Sequence, residues 1–224
     1  MNIGLTGGIT SGKTAFEEEF GRLGYPVFET DKIAKALRSG LVAFDPSDDI
    51  LRHQSLVERI EQLSIPVKEN LRRELPLLYD SKGRFDREQL LKYVNDDRDG
   101  ARNYTTKNSI VNPNIMELYQ LWRELSGENS VVSNGVLIEQ GYLSLIDILL
   151  MVRSDENTQI VNCLRRELQR GHDQPFSYGV KAVGRQLPFD KRLGIAVQAL
   201  GQSNVYVVES PSTLPSLLLP ILTT

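Results

Sequence analysis

The sequence predicts an α/β fold in which helices flank a parallel five-stranded sheet. Five short segments are continuous apolar runs rather than alternating patterns, which is typical of strands that are buried on both faces. Segments with apolar residues at helical spacing separate these runs. A stretch of about ninety residues, 37–127, has no strong strand pattern. It predicts a helical subdomain inserted into the α/β core.

The strands are predicted from their apolar runs, and the last helix is predicted from its start signal. The strands are expected at residues 2–6, 26–28, 130–133, 148–152 and 204–208. Ser210 and Pro211 suit a cap and a first turn, so a helix should follow them. Its inward-facing residues should be Leu214, Leu217, Leu218 and Ile221.

Composition excludes several classes of protein. A length of 224 residues suits one α/β domain with an insertion. The net charge of −3 argues against a dedicated nucleic-acid binder. Cys163 is the single cysteine, which fits a reducing compartment, and no apolar run approaches the ~20 residues of a membrane span. We expect a cytoplasmic protein without nucleic-acid or membrane partners, either monomeric or weakly homo-oligomeric.

Residues 7–14 carry a glycine-rich phosphate-binding pattern. They read Gly-Gly-Ile-Thr-Ser-Gly-Lys-Thr, which fits G-x-x-x-x-G-K-[ST]. The pattern lies between the first predicted strand and a segment in which Phe16, Phe20 and Leu23 recur at helical spacing. Because the pattern needs a strand before it and a helix after it, the sequence predicts a P-loop NTPase fold.

The chemistry of this pattern predicts ATP and Mg²⁺ as ligands. Glycines let successive N–H groups converge on a phosphate, and the helix N-terminus adds partial positive charge. Lys13 can reach the β- and γ-phosphates, and the Thr14 hydroxyl can ligate Mg²⁺. The predicted ATP-binding residues are Gly8, Ile9, Thr10, Ser11, Gly12, Lys13, Thr14 and Ala15.

The sequence favours a kinase over a GTPase. A GTPase should carry N-K-x-D after a later strand, and this chain has none. A small-molecule kinase needs a base near the acceptor hydroxyl, an insertion that holds the acceptor, and mobile arginines over the phosphates. The chain offers a candidate for each of these parts.

The candidate base is Asp31. The strand at 26–28 runs into Glu29, Thr30 and Asp31. If the strand persists, Asp31 reaches its carboxyl end, where ligands of parallel sheets bind. The alternative is that Thr30 or Asp31 caps the following helix. The residues alone leave these two interpretations even.

The candidate arginines lie in segment 155–171, which predicts a lid helix with one apolar stripe. Arg166 and Arg170 are four residues apart and therefore share a face, from which they could stabilise a transferring phosphoryl group. The alternative is a solvated basic face that Glu167 balances. We favour the lid. The apolar positions are Ile160, Leu164 and Leu168.

The N-terminal segment resembles the dephospho-CoA kinase family. The family motif G-L-T-G-G-I-G-S-G-K-S is matched by residues 4–14, with Thr10 in place of a glycine. The motif D-A-D-x-I-A is matched by residues 29–34, with Glu29 as the first acid. The proposed base of the family falls on Asp31, so the resemblance implies that role for Asp31.

Weaker matches continue in order as far as Leu193. The pattern G-x-L-D-R-x-x-L resembles residues 83–90, and V-P-L-L-F-E resembles residues 134–139. The resemblance thereby places Arg87 and Glu139, with Asp31, among the substrate-binding residues. The lid arginines of the family fit Arg166 and Arg170. Its Q-x-x-x-x-x-R-L pattern fits the stretch from Gln186 to Leu193.

The resemblance implies one domain with a core at 1–36 and 128–224, a substrate-binding insertion at 37–127 and a lid at 155–186. It implies transfer of phosphate from ATP to the ribose 3′-hydroxyl of dephospho-CoA. The catalytic residues would be Asp31, Lys13, Arg166 and Arg170.

The chain departs from the family pattern at several places. Asn112 replaces the histidine of a His-Pro pair, and Gly135 replaces a proline. About twenty extra residues precede Gly83, and the motif A-D-x-V-I-x-N-x-G is absent near the C-terminus. Two alternatives follow: a kinase of another small alcohol or nucleoside-like substrate, and a diverged relative that binds nucleotide or CoA without catalysis.

Overall fold

The computed structural model describes residues 1–46, 48–95, 99–127, 129–171 and 175–222. The chain divides into two compact units. The first comprises Met1–Phe28 with Gly127–Thr224, and the second comprises Glu29–Ser126. The predicted division into core, insertion and lid stays a prediction.

Helices and strands alternate at both ends of the chain, whereas the middle is helical. The elements in chain order are β1 (Asn2–Gly7), α1 (Lys13–Arg22), β2 (Val27–Glu29), α2 (Thr30–Ser39), α3 (Gln54–Glu74), α4 (Arg87–Asn95), α5 (Gly100–Ser126), β3 (Ser130–Ser133), β4 (Ile148–Val152), α6 (Glu156–Gln169), α7 (Pro175–Gly184), α8 (Phe189–Leu200), β5 (Val205–Val208) and α9 (Leu214–Leu222). Short 3₁₀ turns connect several of them.

Within the described residues, the first unit contains a five-stranded sheet with the order β2-β3-β1-β4-β5. β1 pairs in parallel with β3 and with β4, and β4 pairs in parallel with β5. All residues of β3 and β4 are buried, as expected for strands that are covered on both faces. The predicted sheet is therefore confirmed, and each predicted strand overlaps an observed one.

The core of the first unit forms where α1 packs on the sheet. Phe16 and Phe20 of α1 are buried against Ile3, Leu5 and Leu150. The spacing of four residues in α1 puts both rings on one helix face. This packing fixes the direction in which α1 leaves the loop after β1.

The last helix begins later than the sequence predicts. Pro211–Thr213 form a 3₁₀ turn, and α9 starts at Leu214. The Ser210 hydroxyl pairs with the Ser212 hydroxyl at 2.8 Å rather than capping the backbone. Leu214 and Leu218 are buried and Leu217 is partly buried, as expected. The side chain of Ile221 lies outside the described residues.

The predicted apolar stripe of the lid segment is wrong, although the helix itself is present as α6. Its buried residues are Cys163 and Glu167, and Leu168 is 58% exposed. The reason is the packing of α7 on α6. A Cβ added to Gly179 of α7 would lie 3.5 Å from the Cβ of Cys163, so α7 covers the face that contains Cys163.

The second unit is a group of packed helices. α2 packs on α3 and α5, and α4 packs on α5. Its core includes Tyr119 and Trp122 of α5, whose rings stack with centroids 6.3 Å apart. Within the described part of 37–127, the β-structure consists of an isolated antiparallel bridge between Tyr79 and Phe85. The helical character of the insertion is therefore confirmed.

Among the described residues, no helix has both the length and the apolar character that crossing a membrane requires.

Replacing Phe20 with alanine should lower the free energy of unfolding by about 3–5 kcal/mol, because the change leaves a cavity in a packed core. Phe20 is 0% exposed, and its ring meets Tyr25 edge-on at 5.7 Å. Urea denaturation measures the change. The matched control is Phe176→Ala, at a residue that is 62% exposed. Equal losses in the two variants would contradict the assigned core.

Candidate active site

The loop between β1 and α1 has the geometry that the phosphate-binding pattern needs. The Ser11 N–H donates to the Gly8 carbonyl at 3.2 Å, and the Ala15 N–H donates to the Gly12 carbonyl at 3.1 Å. Gly12 precedes α1 with φ at +96°, in the left-handed region that favours glycine. The strand, the tight loop and the helix therefore follow one another as predicted.

Two glycines of the loop have no room for a side chain, because other side chains approach their backbone closely. A Cβ on Gly7 would lie 2.5 Å from the Ser11 hydroxyl, and one on Gly8 would lie 2.2 Å from Oε1 of Gln159. The Ser11 hydroxyl is buried without a hydrogen-bond partner. The loop thus combines close backbone approach with a buried polar group that is still able to bind a ligand.

Thr10 ties the loop to α6. Its φ is +56°, which costs a β-branched residue about 1–2 kcal/mol. Its hydroxyl lies 2.6 Å from the Ile9 carbonyl and 2.6 Å from the Gln159 carbonyl, and can donate to either. Asn162 donates to the Thr10 carbonyl at 3.4 Å. The threonine that departs from the family glycine therefore contacts the predicted lid.

Lys13 lies at the first turn of α1 and folds back over the loop. Its Nζ donates to the Gly7 carbonyl at 3.1 Å and to the Gly8 carbonyl at 3.2 Å. A Cβ on Gly135 would lie 3.5 Å from the same nitrogen. The ammonium group is therefore placed between the loop and the segment after β3.

Gln186 binds one of the loop amides. Its Oε1 accepts a hydrogen bond from the Ile9 N–H at 2.7 Å. Gln186 is the first residue of a pattern that resembles the family, and the sequence predicts no role for it. In this structure the side-chain oxygen of Gln186 thus accepts from a backbone N–H group of the kind that binds phosphate in a P-loop.

Arg192 is a buried charge that sequence reasoning missed as a site residue. It is 2% exposed, and its Nη2 donates to the Thr6 hydroxyl at 3.0 Å and to the Gly135 carbonyl at 3.1 Å. Its Nε lies 3.1 Å from Oε1 of Glu139 in an ion pair without hydrogen-bond geometry. Burial lowers the pKa of Arg192, and the Glu139 charge opposes this shift. Glu139 is therefore held near the loop by α8.

The candidate lid arginines share one buried carboxylate. Oε1 of Glu167 lies 3.0 Å from Nε of Arg166 and 2.9 Å from Nη1 of Arg170. The Glu167 side chain is 0% exposed, whereas both arginines are partly exposed. The pairing with Glu167 that the sequence left open is therefore present. A role of the arginines over a phosphate stays a prediction.

Asp31 lies in the first turn of α2, in the second unit. The expected continuation of the strand is wrong, because β2 ends at Glu29 and α2 begins at Thr30. Glu29 is the residue before the helix, so neither Thr30 nor Asp31 is the cap. Lys32 pairs with Glu29 at 2.8 Å, an interaction that favours the helical turn at this point. The carboxylate of Asp31 is exposed, and its position beside the P-loop stays a prediction.

Two cations of the second unit interact with Asp31. Arg38 lies on α2 and Lys107 on α5. Burial and the nearby Arg38 charge, opposed by Asp31, together lower the pKa of Lys107 to about 8. Burial also lowers the pKa of Arg38, again against the effect of Asp31. Asp31 is therefore part of a charge cluster that the sequence did not predict.

The predicted substrate residue Arg87 is the first residue of α4 and is exposed. Asp86 precedes it, and the Oδ1 of Asp86 accepts the Gln89 N–H at 3.0 Å, as in a helix cap. The match to the family pattern thus coincides with a helix start. The contact of Arg87 with substrate stays a prediction.

Comparisons with known proteins agree with the resemblance. A family model described as dephospho-CoA kinase matches residues 1–46. A dephospho-CoA kinase of Fusobacterium nucleatum is 27% identical over 168 residues, 75% of this chain and 74% of that protein. One of Halalkalibacterium halodurans is 27% identical over 197 residues, 86% of this chain and 83% of that protein. The resemblance seen in the sequence is thereby confirmed, and the chain has homologues that carry this name.

A solved structure supports the fold. The protein TT1252 from Thermus thermophilus superposes with a TM-score of 0.66 at 21% identity, covering 100% of this chain and 98% of that one. Similarity at this level of identity shows the architecture alone. The α/β architecture of the described residues is therefore shared with that protein.

Replacing Lys107 with methionine should raise the free energy of unfolding at pH 7 by about 1–3 kcal/mol. The pKa of Lys107 is about 8 in the folded chain against an ordinary 10.5. Below pH 8 the buried lysine is charged and costs its full penalty. Between about pH 8 and 10.5 the unfolded chain binds more protons, so the wild-type protein regains stability as pH rises.

Urea denaturation of the wild type and of Lys107→Met at pH 7, 9 and 10 measures this effect. The advantage of the variant should shrink as the pH rises. Lys35→Met, at an exposed lysine of α2, is the matched control and should show no such trend. A constant difference between pH 7 and pH 10 would contradict the lowered pKa.

Proposed function

We propose that this chain is a dephospho-CoA kinase, which transfers the γ-phosphoryl group of ATP to the ribose 3′-hydroxyl of dephospho-CoA. The observation that carries the proposal is the loop between β1 and α1. Gly12 adopts a left-handed conformation there, and Lys13 folds over the carbonyls of Gly7 and Gly8. Homologues named dephospho-CoA kinase supply the identity of the acceptor.

The residues of the loop fit the triphosphate of ATP. The Ser11 hydroxyl is buried without a partner, so a phosphate oxygen would satisfy it. The N–H groups at the start of α1 add further donors and partial positive charge. Lys13 can exchange its two carbonyl contacts for phosphate oxygens, because its long side chain already lies over the loop.

Thr14 is the residue that would hold Mg²⁺. It is exposed at the second position of α1, and its hydroxyl oxygen belongs to the donor type that Mg²⁺ prefers. Among the described residues, His, Cys, Asp and Glu form no group of three or more that could hold a metal. Thr14 and the phosphates themselves would therefore supply the ligands. The ion would neutralise charge on the β- and γ-phosphates.

Gln186 would be replaced at the Ile9 N–H when a phosphate enters the loop. Its Oε1 holds that donor at 2.7 Å. A phosphate oxygen is a stronger, charged acceptor than a neutral amide oxygen, so it competes favourably for the same N–H. The exchange keeps the donor satisfied in both states.

Arg166 and Arg170 supply positive charge from α6. Two guanidinium groups share the single carboxylate of Glu167, which leaves a net positive charge on this part of the helix. Each guanidinium has five N–H donors, more than its pair with Glu167 uses. Such donors stabilise the charge that develops on a transferring phosphoryl group.

Asp31 would orient or deprotonate the acceptor hydroxyl. Its carboxylate is exposed at the first turn of α2 and therefore accessible to a substrate. A carboxylate within hydrogen-bond reach of a hydroxyl can take up its proton as the phosphoryl group is transferred.

A cytoplasmic location, the absence of nucleic-acid partners and a monomeric or weakly oligomeric state stay predictions.

Replacing Lys13 with alanine should lower turnover by about 10²–10³-fold, because a cation that contacts the transferring phosphoryl group is lost. The measurement is coupled ADP release with Mg·ATP and dephospho-CoA. Lys191→Ala, at an exposed lysine of α8, is the control and should keep wild-type turnover. Wild-type turnover in Lys13→Ala would remove the assigned role.

Replacing Asp31 with asparagine should lower turnover by about 10²–10⁴-fold and leave ATP affinity unchanged, because the amide cannot accept the proton. The same assay measures turnover, and fluorescent ATP-analogue titration measures affinity. Asp190→Asn is the matched control, since Asp190 is also exposed at the second position of a helix. ATP binding without acceptor-dependent ADP release in the wild type would argue for another acceptor or for a non-catalytic protein.

A further inference from the structure

We propose that Arg38 and Lys107 bind the diphosphate of the acceptor in the second unit, next to Asp31. The inference rests on the proposed function and extends it. It names the residues that recognise the anionic part of dephospho-CoA. All of the groups involved belong to the second unit.

The two partly buried cations contact aromatic rings, with Nζ of Lys107 4.7 Å from the centroid of Tyr104, and are not paired with a carboxylate among the described residues. Within the described residues, no ion pair shorter than 4.0 Å involves Arg38 or Lys107. The Nε of Arg38 is buried and makes no hydrogen bond. Native structures rarely leave such a donor unsatisfied, so this donor is available to an anionic ligand.

The charges around Asp31 do not balance. The Arg38 charge disfavours the charged form of Lys107, and Asp31 favours the charged form of both cations. One carboxylate against two partly buried cations leaves an uncompensated positive charge. Bringing in an anion would restore the balance and would satisfy the free guanidinium donor.

Two aromatic rings contact the guanidinium groups of Arg38 and Arg72. The guanidinium of Arg38 lies 5.3 Å from the centroid of Phe85, and that of Arg72 lies 4.9 Å from the centroid of Tyr79. The two rings meet edge-on at 5.6 Å. The Tyr79 hydroxyl is also buried without a hydrogen-bond partner. Stacking restricts the guanidinium groups, so their donors are held in place before a ligand arrives.

The acceptor has the matching chemistry. In dephospho-CoA the ribose that carries the reacting 3′-hydroxyl also carries the diphosphate at its 5′ position. A site for this nucleotide therefore needs a base and a cationic group within the span of one ribose. Asp31 and Arg38 lie seven residues apart on α2 and therefore share a helix face, and Lys107 lies on α5, which packs on α2.

The test compares a ligand that has the diphosphate with one that lacks it. Calorimetric titration without ATP measures the affinity of the full chain for dephospho-CoA and for adenosine. Arg38→Met and Lys107→Met should each weaken dephospho-CoA binding by about 10–100-fold and leave adenosine binding unchanged, since only the charge-assisted contacts are lost. In the coupled assay the same variants should raise KM for dephospho-CoA far more than they lower kcat.

Matched controls separate the site from general charge effects and from misfolding. Arg102→Met and Lys35→Met remove the same charges from exposed positions on α5 and α2, and they should keep wild-type affinity. Arg38→Lys keeps the charge and should recover part of the affinity that Arg38→Met loses. Unchanged ATP-analogue affinity shows that each variant is folded. If Arg38→Met does not fold, Arg38→Lys and Lys107→Met carry the test.

The outcomes distinguish this inference from the proposed function. Diphosphate-dependent binding that both variants lose, without turnover by the wild type, supports the site and contradicts the kinase. Turnover by the wild type, with unchanged KM and affinity in both variants, supports the kinase and overturns the site. Equal losses for adenosine and dephospho-CoA also overturn it, because they would show a structural role rather than recognition of the diphosphate.

Discussion

Arg192 joins three parts of the first unit from a buried position. Its guanidinium donates to the hydroxyl of Thr6 in β1 and to the carbonyl of Gly135 after β3, and it pairs with Glu139. A buried cation costs several kcal/mol unless partners surround it, so these elements must keep their places together. Lys13 adjoins both Gly7 and Gly135. The position of Lys13 is therefore linked to a charge that lies far from the loop motif in sequence.

The buried and partly buried cations of the chain fall into two groups. Arg192 has three partners, and Arg166 and Arg170 both pair directly with Glu167, although one carboxylate leaves a net positive charge there. Arg38 and Lys107 are compensated only in part, by the charge of Asp31. Uncompensated charge in a folded protein raises the energy of the empty state and thereby favours binding of an opposite charge. This contrast supports the proposed ligand site in the second unit.

The link between the P-loop and α6 shows how a departure from a family pattern can be accommodated. Thr10 occupies a left-handed conformation that suits glycine, yet its hydroxyl lies within hydrogen-bond reach of the Gln159 carbonyl. The contact offsets part of the backbone strain and fastens the loop to α6. Gln186 adds a second connection through the Ile9 N–H. The loop is thus held to α6 by hydrogen bonds between side chains and backbone, in which the Thr10 hydroxyl and the Asn162 amide take part.

Local patterns in the sequence determined the strands, the P-loop and the existence of α6. Apolar runs, the helical spacing of apolar residues and the spacing of the loop glycines can each be recognised within a few consecutive residues. Tertiary structure decided the buried face of α6, since α7 packs across Cys163 through Gly179. It also decided the partners of Arg192 and the interaction of Lys107 with Asp31. These features join residues that are far apart in the chain. No local pattern encodes them, because burial and charge compensation depend on which elements meet in the folded molecule.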